Sequence, residues 1–65
     1  MNTFEAALRE RIELYIAEID GEIAMNKNLL AKYKDSGNMQ EEVLAYFIEK
    51  LETIKKEFET VLRRI

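Results

Sequence analysis

Acid–base or nucleophilic chemistry in this sequence would have to come from carboxylates, lysines, tyrosines, threonines and a single serine, because it contains neither histidine nor cysteine. Ser36 falls in the segment KDSGN, whose composition is that of a turn, with no imidazole to act as its base. Glu18 and Glu22 stand one helical turn apart, the nearest approach to a carboxylate pair, but the same spacing is ordinary on a solvated helix face. There is no Glu-x-x-His element for a metal bundle site and no glycine-rich phosphate loop. These residues give no catalytic constellation, so the chain is expected to be no enzyme and to use no cofactor or metal.

Three other groupings could support binding. Arg63 and Arg64 with Lys55 and Lys56 form the densest basic patch, able to touch RNA or an acidic protein, yet cations there also complement the dipole of a helix C-terminus. With 13 acids against 10 bases and a net charge of -3, the chain lacks a broad basic footprint, and nucleic acid is not the expected partner. Met39, Val43 and Tyr46 follow one another at helical spacing, and Leu14 and Met25 form a sparser line; adaptable Met and amphipathic Tyr suit a partner surface, or simply the edge of a bundle. Asn26 projects from an apolar stripe, where a buried amide can fix register or oligomeric state, unless it lies at the edge with its amide in water.

The elements that must position these residues are helices. Hydrophobic residues make up 48% of the 65 and charged residues 35%, with no Pro and two Gly, the composition of a chain that is almost entirely helical. Gly37 suits a left-handed helix terminus, and Asn38 with Glu41 has the form of an N-cap and its capping-box partner. At the start, Asn2 or Thr3 can cap, with Glu5 three residues after Asn2. One helical-hairpin domain over 1–65 follows, with helix one at about 3–34, a turn at about 35–38 and helix two at about 39–64.

Helix two repeats Gln40, Leu44, Phe47, Leu51, Ile54, Phe58, Val61 and Ile65 at alternating steps of four and three, a heptad seam, with Ile48 and Leu62 widening the stripe on one side and Val43 on the other. Helix one repeats Leu8, Ile12, Tyr15, Ile19, Ile23, Asn26, Leu30 and Tyr33, irregular only between Tyr15 and Ile23, where Gly21 also sits. Folding about Gly37 brings Tyr33 to Gln40, Asn26 to Phe47, Ile19 to Ile54, Tyr15 to Phe58, Ile12 to Val61 and Leu8 to Ile65. That uninterrupted pairing favours one helix softened at Asp20-Gly21 over a chain broken there. The same register sets the acids of the first helix beside Lys55, Lys56, Arg63 and Arg64, and Lys27, Lys32 and Lys34 nearer Glu41, Glu42 and Glu49.

A hairpin covers only one side of each stripe. The expected fold is therefore an all-α antiparallel two-helix hairpin, assembled with a second copy into a homodimeric four-helix bundle. In hairpin form, length and heptad seam the chain resembles the Rop-type dimeric helical hairpins, without matching any RNA-binding motif; secretion-system chaperone hairpins share the same generic features. The functional expectation is protein–protein interaction as an adaptor, regulator or inhibitor, with itself and another, unidentified protein as partners. The alternatives are a Rop-like nucleic-acid-binding hairpin or a structural or chaperone-like subunit of a larger assembly. No apolar run is long enough for a membrane span, and MNTFEAALRE lacks the basic start and apolar block of a signal peptide, so a cytoplasmic location is expected.

Overall fold

The computed structural model describes residues 2–35, 37 and 39–65. Two helices, α1 (Thr3–Tyr33) and α2 (Met39–Arg64), pack against each other as a hairpin. Asn2 is the N-cap of α1, its side-chain oxygen accepting the Glu5 backbone N–H at 2.7 Å. Helix α1 runs through Gly21 without a break. An added Cβ there would meet no atom within 4 Å, so the glycine serves no close approach. Its cost to the helix, roughly 1 kcal/mol relative to Ala, is offset by packing.

The chain reverses over a segment in which both Asp35 and Gly37 take the left-handed conformation, at φ 67° and 69°. Gly37 adopts it without the Cβ penalty, and Asp is among the few other residue types that enter this region at all. Ser36 and the cap assigned to Asn38 lie outside the described residues. Helix α2 opens with Glu41 and Glu42 and closes with Arg63 and Arg64, each pair favourable to its end of the dipole.

The contact between the helices follows the pairing read from the sequence. Tyr15 and Phe58 meet with ring centroids 5.8 Å apart. Arg9 Nη2 donates to the Leu62 carbonyl, and Lys55 Nζ lies 2.6 Å from Asp20 Oδ1. Lys27 pairs with Glu52 at 3.6 Å rather than with the acids nearer the turn.

The centre of the contact is displaced from the heptad seam. Ile48, placed at the edge of the stripe by periodicity, is the buried residue of α2 at 6% exposure, whereas the seam residues Phe47, Ile54 and Val61 are between 41% and 45% exposed. Phe47, which the register sets against Asn26, is 45% exposed, whereas Asn26 is 6% exposed. The physical reason is that two helices meet along one line, while each apolar stripe is wider than a line. Here the line passes through Ile12, Ile23 and Asn26 on α1 and Ile48 on α2, leaving the other half of the α2 stripe uncovered.

Among the described residues no side chain is less than 2% exposed. The hairpin measures 52 × 15 × 11 Å, with a radius of gyration of 15.4 Å. A compact chain of this length would have a radius near 11 Å.

Candidate functional site

Residues three and four apart share a helix face, so exposure along α1 and α2 divides the hairpin into two unlike sides. One side is polar. Asp20 and Lys27 of α1 meet Lys55 and Glu52 of α2 there, with Lys56 and Glu59 lining the same shallow cleft. The hydrogen bond to Asp20 is the main cause raising the Lys55 pKa above the ordinary 10.5, and the charges of Asp20, Glu59 and Glu52 add to it. Desolvation opposes the rise without cancelling it.

The other side is apolar and open. It carries Leu8, Tyr15, Leu29 and Tyr33 from α1 and Phe47, Ile54 and Val61 from α2, all at least 36% exposed, together with the half-buried Phe58. The Tyr15–Phe58 pair bridges the helices across this side at one level. Nearer the turn lies a shallow, open hollow of about 390 Å³ lined by Leu29, Tyr33, Met39, Gln40, Val43 and Leu44. A smaller groove of about 170 Å³ runs along α2 between Ile54, Glu57, Phe58 and Val61.

The seam residues assigned from the sequence separate into two sets. Ile12, Ile23 and Asn26 are buried inside the hairpin, and Ile19, Leu30, Leu44 and Leu51 are half-buried beside them. Tyr15, Phe47, Ile54, Phe58 and Val61 belong to the open side. Asn26 does not hold its amide in water: its Nδ2 donates to the Glu22 carbonyl one turn back, at 2.7 Å.

The five residues read as a partner surface are exposed and divided between the two helices. Met39 and Val43 border the hollow at the turn, while Leu14 lies on the outer surface of α1 with Ala7, Glu10 and Arg11. Met25 is exposed on the outer side of α1, and Tyr46 faces outward on α2 with Lys50 Nζ 5.1 Å from its ring centroid.

One grouping was missed by sequence reasoning. Arg9 bonds the carbonyl of Leu62 at 3.3 Å, which sets Arg9 and Arg11 level with Arg63 and Arg64, so all four arginines of the chain gather at the end away from the turn. The Arg9 Nε is buried without a hydrogen-bond partner. The hairpin pairing that sets Tyr15 against Phe58 also sets Arg9 against Arg64, so the register itself carries the signal for the cluster.

Among the described residues no group of three or more acidic side chains could hold a metal ion, and no helix is long and apolar enough to cross a membrane. The described residues present a polar side, an open apolar side and an arginine-bearing end. No family model, curated protein or solved structure matches the chain.

Proposed function

We propose that this chain is a non-enzymatic, self-associating helical hairpin that acts through protein–protein interaction, as an adaptor, regulator or inhibitor, and that a homodimeric four-helix bundle is its working form. The observation that carries this reading is the open apolar side. The chain exposes 5178 Å². A compact protein of 7.7 kDa would expose about 4300 Å². The excess of roughly 850 Å² is close to the ~800 Å² that each partner buries in a standard stable interface. A second copy supplies a surface of the same length and the same apolar character, so a two-fold pairing covers both open sides at once.

Dimer formation leaves the polar sides and the outward residues Leu14, Met25 and Tyr46 available for a different protein. Sedimentation of the full chain tests the premise: a stable dimer is expected, and a well-folded monomer at high concentration would remove it. A second reading, binding of RNA or another polyanion, draws on the gathering of Arg9, Arg11, Arg63 and Arg64 at one end. Electrostatic contacts are strongest at low ionic strength, so absence of RNA binding at low salt would eliminate that reading.

A further inference from the structure

We propose that the second copy lies end for end on the first, so that the Tyr15–Phe58 pair of each chain seats in the hollow between Leu29, Tyr33 and Val43 of the other. This rests on the self-association reading and adds the orientation, which that reading leaves open. Two copies can bring their open sides together about a two-fold axis in two ways. If the axis runs along the hairpin, both turns lie at the same end and every level meets its own level. The aromatic bridge then abuts the other bridge, and hollow faces hollow. If the axis runs across the hairpin, the copies are reversed and bridge meets hollow.

The levels at which these features occur favour reversal. Leu29 follows Tyr15 by 14 residues, about 21 Å along the helix. An axis that exchanges Tyr15 with Leu29 passes at Glu22, and one that exchanges Phe58 with Val43 passes between Lys50 and Leu51. Those two points face each other in the hairpin pairing, and the second lies near the middle of α2 (Met39–Arg64). The single axis that fits bridge to hollow on both helices is thus also the one that overlaps the copies over their full paired length. It further lays Met39 and Val43, among the most exposed apolar residues at 75% and 60%, against the groove between Phe58 and Val61 of the other chain.

One effect opposes it. Glu22 approaches its own mate near the axis, whereas in the same-end arrangement it would stand level with Lys50 of the other copy. Exposed charges in water interact weakly, while a hollow of about 390 Å³ set against another leaves apolar surface uncovered or unfilled. Packing decides the orientation.

The chain has no cysteine, so one nitroxide on Lys34→Cys, an exposed site beside the turn, reports the orientation in the intact protein. Electron–electron distance measurement on the labelled dimer is expected to give more than about 35 Å, since the turns lie at opposite ends. A distance below about 20 Å would place the turns together and overturn the orientation while leaving self-association standing. Monomeric sedimentation with no resolved distance would overturn self-association itself. The sign of a second change is independent of the label: Glu22→Gln is expected to tighten the dimer about twofold by removing a like-charge approach, and weakening would point to the same-end arrangement.

Discussion

The two sides of the hairpin are built from the same two helices and differ in what completes them. On the polar side the chain supplies its own partners: Asp20 meets Lys55, and Lys27 meets Glu52. On the apolar side it does not, and Phe47, Ile54 and Val61 of α2 have no third helix to cover them. A salt bridge is complete with two participants, whereas an apolar stripe wider than one helix contact needs another layer. The side that looks more strongly held is thus the one with less influence on stability, because exposed ion pairs contribute little and apolar burial contributes most.

The largest expected effect comes from placing charge on the open side. Phe47→Glu leaves the buried line through Ile12, Ile23 and Ile48 intact but sets a carboxylate where a second copy would pack. Dimer affinity measured by sedimentation should fall by about 100-fold or more, the loss typical of a central interface anchor. If the affinity is unchanged, Phe47 lies outside any interface and the two sides are not functionally unlike.

Next in size is Asn26, which sits on the buried line between them. Its amide donates to the Glu22 carbonyl, an oxygen within the helical backbone, so removing the side chain strands no tertiary partner. Asn26→Leu is expected to raise stability by roughly 1 to 2 kcal/mol, read from urea unfolding at fixed protein concentration. A loss of stability would show that the amide has a partner across an interface. Gly21→Ala sharpens the comparison from a position on neither contact: with open space around the added methyl group, a gain of about 1 kcal/mol is expected, with oligomeric state unchanged.

The smallest effect belongs to the polar side. Because the folded chain holds the Lys55 pKa above 10.5, the Asp20 pair contributes its stability below that value and loses it as pH rises through the higher folded pKa. Asp20→Asn should therefore leave the unfolding midpoint nearly unchanged at neutral pH and reduce the part of the alkaline decline that Lys55 causes, Glu59 and Glu52 holding the remainder. A large neutral-pH loss would mean that the polar side carries weight assigned here to the apolar one.

Much of the hairpin was legible in the sequence because its determinants are local and periodic. Gly37 marked the turn, Asn2 the first cap, and the two seams gave a register that brings Tyr15 to Phe58. What the sequence left unresolved was rotation about each helix axis. A heptad pattern identifies a broad apolar sector but not which edge of it the nearest neighbour occupies, and this is why Ile48 rather than Phe47 fills the contact. Asn26 shows the same limit, since edge and interior are separated by a small turn of the helix. Spacing along one helix groups Met39 with Val43 and Tyr46, and Leu14 with Met25, but does not show which residues of two helices converge.

On the proposed reading, one side of this hairpin is unfinished without a second copy. Sedimentation equilibrium on the full chain across a wide concentration range, with helicity followed in the same samples, tests it most directly. A species of twice the 7.7 kDa chain mass is expected, with helicity and dimer lost together on dilution. A fully helical, cooperatively unfolding monomer of 7.7 kDa at every concentration would contradict it.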